Sequence, residues 1–125
     1  MTISQQDVIA LESRINSKLT GYNAEFIMTI HFSVDRLNDA RNTPPITIPE
    51  LENIFDRLIN QHILAIVALN DKDTFNIRCT SSHINMPCGV RKETNNNGSI
   101  SHKNIIITVM RKRNFFSKDP IEFKV

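Results

Sequence analysis

Three glycines, two cysteines and no apolar run longer than the seven residues from Ile63 to Leu69 are all that 125 residues offer of three usual structural materials. Each shortage excludes something. A membrane-spanning helix needs about 18 or more consecutive apolar residues, and a run of seven is strand-sized. Glycines scattered at 21, 89 and 98 cannot build a glycine-rich loop to cradle phosphates, which excludes phosphate-loop ATPases and Rossmann enzymes. There is no nucleophile elbow and no paired-carboxylate motif. Cys79 and Cys88 have no C-x-x-C spacing and no histidine at finger distance, so they read as two buried, inert thiols rather than zinc ligands. His62, His83 and His102 are scattered without an i, i+4 partner and read as surface or satisfied core histidines. No metal and no cofactor is expected. Residues 1–7 carry neither the basic region nor the apolar core of a secretory signal, which predicts an intracellular protein with no membrane attachment.

What remains is an ordinary globular composition, 40% hydrophobic and 22% charged, in a length that suits one domain spanning 1–125. The net charge of +2 hides an asymmetry: residues 1–73 carry a net −4 and residues 74–125 a net +6. A basic second half fits contact with a phosphate backbone, and equally a solvated sheet face.

Periodicity divides the chain the same way. Ser4 and Asp7 form a capping box ahead of Val8, Leu11, Ile15 and Leu19, predicting an amphipathic helix over about 5–20, stopped by Gly21. Phe26–Ile30 reads as a short strand turning into a helix capped by Thr29 and ending near Asn42, before Pro44-Pro45. Thr47 and Glu50 form a second capping box with Pro49 in the first turn, and Leu51, Ile54, Phe55 and Leu58 extend a helix over about 48–61. Strands are expected at 63–69, 74–79, 83–90 and 104–112, with a mobile loop at 91–103. Helices in a part of about 1–62 followed by a basic sheet part of about 63–125 make an α+β fold: N-terminal helices packed on a mainly antiparallel sheet, a meander being the simplest topology.

Two clusters carry chemistry. The twelve residues His31–Asn42 hold a histidine, two arginines and two aspartates. On a helix His31 and Asp35 share a stripe, where the carboxylate can fix the imidazole tautomer for general-base work; Arg36 projects about 140° away around the axis. The bland reading has His31 packing at a strand-to-helix junction and Asp35 and Arg36 in exposed ion pairs. The second cluster is residues 108–116, where a continuous strand would put Arg111 and Arg113 on one face with Val109 and Lys112 on the other with Met110. Arginines beside aromatic residues can grip a phosphate backbone, stack a base and stabilise developing phosphorane charge. The alternative is a solvent-exposed strand end with Phe115 and Phe116 folded back into the core.

The series His31-Phe32-x-x-Asp35-Arg36-Leu37-Asn38-Asp39-x-Arg41-Asn42, Ile46-Thr47-x-x-Glu50-Leu51 and Ile107-Thr108-x-Met110-Arg111-Lys112-x-x-Phe115 resembles small uncharacterised proteins of tailed bacteriophages. Its layout is also similar to the RelE-like small endoribonucleases, in particular the early-message endoribonucleases of T-even phages. The resemblance spans about residues 25–116. It implies a RelE-like layout and metal-independent RNA cleavage, with His31 in the place of one catalytic histidine. The second histidine of that pattern falls on Asp56 here, a departure from a base-and-acid pair. Arginines and lysines can stand in for such a pair in RelE-like toxins.

The expectation is therefore a phage-encoded RNA-interacting protein in the host cytoplasm. His31, Asp35, Arg36 and Arg111 would be its catalytic residues, and Arg41, Arg91, Lys92, Lys112 and Arg113 its nucleic-acid contacts. The rival expectation keeps the fold as scaffold only, for a non-catalytic binder of a host or defence protein or a minor virion component. Which holds depends on whether the two clusters come together in space.

Overall fold

The computed structural model describes residues 3–28 and 35–125, so the readings placed on Thr29 and His31 lie outside the described residues. Helix α1 (Gln5–Ser17) starts at the Ser4 capping box: the Ser4 hydroxyl accepts the Asp7 amide at 3.1 Å, and the Asp7 carboxylate accepts the Ser4 amide at 2.9 Å. A single 3₁₀ turn (Thr20–Tyr22) leads to strand β1 (Ala24–Met28). Helix α2 (Ile48–Val67) opens with the Thr47 and Glu50 capping box and Pro49 in its first turn. Then come β2 (Thr74–Arg78), β3 (Ile84–Thr94), β4 (Ile100–Ile106), β5 (Met110–Arg111) and β6 (Glu122–Lys124).

The fold is α+β, as the residue patterns predict, with both helices preceding most of a six-stranded sheet of order β1-β4-β3-β2-β6, β5 pairing with β3 beyond the end of β4. The central ladder β2-β3-β4 is the expected antiparallel meander. The outer pairs β1 with β4 and β2 with β6 are parallel. One face of the sheet packs on the helices: Phe26 and Met28, Phe75 and Ile77, Met86 and Cys88, and Phe123 meet Leu11 and Ile15 of α1 and Leu51, Ile54, Phe55 and Leu58 of α2. Phe26 stands edge-on to Phe55 with ring centroids 5.1 Å apart. Each such side chain contributes about 1.5–3 kcal/mol on burial. The outer edge of β1 is closed by α1, where the Asn16 amide both accepts from the Phe26 N–H (2.8 Å) and donates to its carbonyl (2.9 Å), imitating a neighbouring strand.

The structure corrects four boundary expectations. Residues 63–67 are the last turns of α2, not a strand: no glycine or proline interrupts the helix, and Ile63 and Ile66 extend its buried stripe while Leu64 is 72% exposed. Residues 37–42 lie in turns and bends rather than in the end of a helix. Most of the expected 91–103 loop is β-hairpin, closed by a turn at Asn95–Ser99 in which Gly98 takes φ +84°. Its strands read as loop because Arg91, Glu93 and Lys103 pair across a solvent-facing ladder and the opposite face carries the polar His102 and Asn104.

The fourth correction bears on function. The expected strand 104–112 is two strands separated by a bulge: three steps along β3, from Cys88 to Asn85, face four steps on its partner, from Ile106 to Met110. Pro87 lies at the break. It accepts from the Ile107 amide at 2.9 Å but has no N–H to return, so the ladder loses a bond there. One inserted residue exchanges the faces of everything beyond it. Arg111 therefore pairs beside the fully buried Ile84 and reaches the helix side of the sheet.

Candidate nucleic-acid interface

The segment between β1 and α2 is held by asparagines. Asn38 clamps the Ile3 backbone, its oxygen accepting at 2.9 Å and its amide donating at 2.8 Å. Asn42, 6% exposed, donates to the Arg36 carbonyl at 2.8 Å and accepts from the Arg111 amide at 2.9 Å. Leu37 and Ile46 anchor the segment in the core. Two tight turns, Asp39 amide to Arg36 carbonyl and Asn42 amide to Asp39 carbonyl, project residues 39–41 outward between these anchors.

Asn42 thereby sets this segment against the bulge before β5, and a cleft of about 380 Å³ opens between them, lined by Arg36, Asp39, Arg41 and Asn42 on one side and Thr108 through Lys112 on the other. Residues some 70 positions apart in sequence, from the two clusters singled out for their chemistry, share this wall. Four cationic residues and one carboxylate line it. Asp39 is engaged by Arg41, whose guanidinium donates at 2.8 and 3.1 Å. Those bonds, the Arg41 amide and the nearby Arg36 charge hold the Asp39 carboxyl far below its usual range. The Arg41 side chain remains 82% exposed. An exposed pair of this kind is weak and salt-screened, so a phosphate can compete for Arg41.

Arg111 has a different occupation. Its guanidinium donates to the carbonyls of Pro44 (2.7 Å), Pro45 (3.2 Å) and Ser82 (2.9 Å) and to both Glu50 oxygens (3.0 and 2.8 Å), with the side chain 8% exposed. Burial would raise the Glu50 carboxyl, but the bonds from Arg111 and Thr47 outweigh it and hold Glu50 below its usual value. The re-aimed Arg111, expected among the catalytic residues, thus staples the 44–50 segment to the sheet. Lys112 follows in the chain with an exposed side chain, its amide fixed to the His83 carbonyl at 2.9 Å.

The other expected contacts do not line the cleft. Arg91 pairs with Glu93 at 3.0 Å, and Lys92 donates to the Val67 carbonyl at 3.2 Å, neutralising the C-terminal end of α2. Arg113 is exposed just past β5. Asp35 is exposed, and His31 lies outside the described residues. Asp56, at the position of the second histidine in the RelE-like pattern, pairs with Lys18 at the C-cap of α1. His62 bonds the Lys124 carbonyl at 2.9 Å, about 18 Å along α2 from Glu50.

Sequence reading missed the Arg111 staple because a bulge leaves no periodic trace beyond Pro87. It also missed the surroundings of Cys79. Burial would raise this thiol, but hydrogen bonds with the Ser81 hydroxyl and from Arg57, both at 3.4 Å, and from the Ser82 backbone outweigh it and bring it to about 6, although the residue is 1% exposed. Among the described residues no cluster of three or more His, Cys, Asp or Glu could hold a metal ion, and no helix is long and apolar enough to cross a membrane. No family model, curated protein or solved structure matches the chain.

Proposed function

We propose that this chain is a phage-type RNA-interacting protein of RelE-like layout that takes the phosphate backbone in the cleft between residues 36–42 and 108–112. The observation that carries this reading is the shared wall of Arg36, Arg41 and Lys112, contributed by segments far apart in sequence. Guanidinium and ammonium groups around a partly enclosed cleft suit a phosphodiester, to which arginine donates in pairs and lysine offers a point charge. Asn42 and Arg111 act as positioning residues that hold the two walls in place. In the catalytic form of the reading, His31 removes the 2′-hydroxyl proton as that oxygen attacks phosphorus, Asp35 orients the imidazole, and Arg36 and Lys112 stabilise charge as the phosphorane forms; the bond to the 5′-oxygen then breaks, the leaving oxygen takes a proton from water, and a 2′,3′-cyclic phosphate remains, without a metal.

Incubating the protein with labelled transcripts tests both parts. RNA binding that weakens with salt, and weakens further in Arg41→Ala and Lys112→Ala, supports the cleft. Cleavage lost in His31→Ala supports catalysis. Salt-sensitive binding without cleavage restricts the protein to a non-catalytic RNA contact. Absence of both binding and cleavage overturns the proposal in favour of a protein-binding scaffold.

A further inference from the structure

Just beyond the cleft the chain presents an aromatic ring to solvent. Phe116 is 86% exposed, more than any other large apolar residue among those described, where one bland expectation placed it in the core. Its backbone is nevertheless fixed on both sides. The preceding Phe115 is half-buried and its carbonyl accepts from Arg78 at 2.7 Å. After it, the Ser117 hydroxyl accepts the Asp119 amide at 3.1 Å in a tight turn. The ring is thus exposed on a tethered segment rather than on a loose end.

Its exposed charged neighbours along the chain are cationic, and the nearest carboxylate, the half-buried Asp119, is engaged by the Ser117 hydroxyl at 3.2 Å. Residues 112–118 include Lys112, Arg113 and Lys118, all exposed, and no carboxylate. Phe116 lies four positions after Lys112 at the cleft, so their Cα atoms lie at most about 14 Å apart, within reach of a few nucleotides. A ring face beside a positively charged track suits a nucleobase whose phosphates follow that track, because every base offers a π-face irrespective of sequence. A duplex keeps its bases stacked inside and offers no such face.

We propose that Phe116 is a base-stacking platform and that the ligand is single-stranded RNA, with a backbone phosphate in the cleft, the chain passing Lys112 and Arg113, and a base on Phe116. This inference rests on the RNA-contact reading of the cleft and adds the substrate class to it.

The test uses the full chain with three ligands of equal length, a 12-nucleotide single-stranded RNA, the same strand in a duplex, and an abasic oligomer. The proteins are wild type, Phe116→Ala, Phe116→Trp and Arg41→Ala/Lys112→Ala. Wild type should bind the single strand about tenfold or more tightly than the abasic oligomer, and Phe116→Ala should lose that preference with its abasic binding unchanged. Because the chain has no tryptophan, Phe116→Trp supplies a single tryptophan, whose emission should be quenched by the single strand while tight binding is retained. Equal affinity of Phe116→Ala and wild type for the single strand, or wild-type preference for the duplex, overturns the stacking role. If Arg41→Ala/Lys112→Ala still weakens binding in that case, the cleft reading survives. If no ligand binds in a salt-dependent way, that reading fails too, and Phe116 is left as a protein-contact residue.

Discussion

Leu58 of α2 and Arg111 of β5 are both almost out of solvent, at 0% for the residue and 8% for the side chain, yet they hold their surroundings by opposite means. Leu58 is one of many apolar side chains between two helices and a sheet, and its neighbours share the load. Arg111 holds three carbonyls and a carboxylate by itself, in a region where Asn38 and Asn42 are comparable clamps. The helix-packed face is cohesive by area and the cleft rim by individual polar staples. The rim can therefore present charge to a ligand while keeping its shape.

Substitutions should separate the two regions. The largest loss is expected from the core: Phe55→Ala removes a fully buried ring in edge contact with Phe26 and should destabilise by about 3–5 kcal/mol in urea unfolding. Arg111→Ala comes next, at about 3 kcal/mol, because it leaves Glu50 and several carbonyls without their donor. It should also weaken RNA binding by releasing the 44–50 segment, so its effect appears in both assays. Arg41→Ala and Lys112→Ala should leave thermal unfolding unchanged, yet each should reduce the slope of log affinity against log salt by about 0.7 for single-stranded RNA. A shift in melting temperature comparable to that of Arg111→Ala would show that Arg41 and Lys112 are staples of the rim rather than ligand-facing charges.

The smallest effect concerns acid. His102 is 3% exposed, and its ring donates to the Asn104 oxygen at 2.8 Å, since the Asn104 amide nitrogen is turned to the Glu25 carbonyl. Its other ring nitrogen is buried without a partner among the described residues. Burial lowers the imidazole from its ordinary value of 6.5, against the bond to Asn104 and with help from the Lys92 charge. The unfolded chain takes up this proton at higher pH than the folded one, so the contribution is present above about 6.5 and is lost as pH falls. Urea midpoints from pH 7 to pH 5 should fall in the wild type and fall less in His102→Gln.

Legibility in the sequence followed the same division. Capping boxes at Ser4 and Thr47 and the apolar stripes of α1 and α2 are local patterns, and both helices start where those patterns place them. Ile63–Leu69 misled because an apolar run bears no period of its own, and only the continuity of the buried stripe through Ile66 identifies it as helix. The solvent-facing ladder of Arg91, Glu93 and Lys103 hid a hairpin behind polar residues. At the cleft, the residue types were visible as two clusters, but their meeting depends on Asn42 accepting the Arg111 amide, and the fate of Arg111 on one extra residue after Pro87. Contacts made by single polar atoms across 69 positions leave no spacing to read.

The central claim is that Arg36, Arg41 and Lys112 form one phosphate-binding wall, and salt titration of RNA affinity tests it most directly. Equilibrium binding of a single-stranded RNA should weaken linearly in log salt, and Arg41→Ala/Lys112→Ala should flatten that line by about 1.4 while the protein melts as the wild type does. An identical slope in the wild type and the double variant would contradict it.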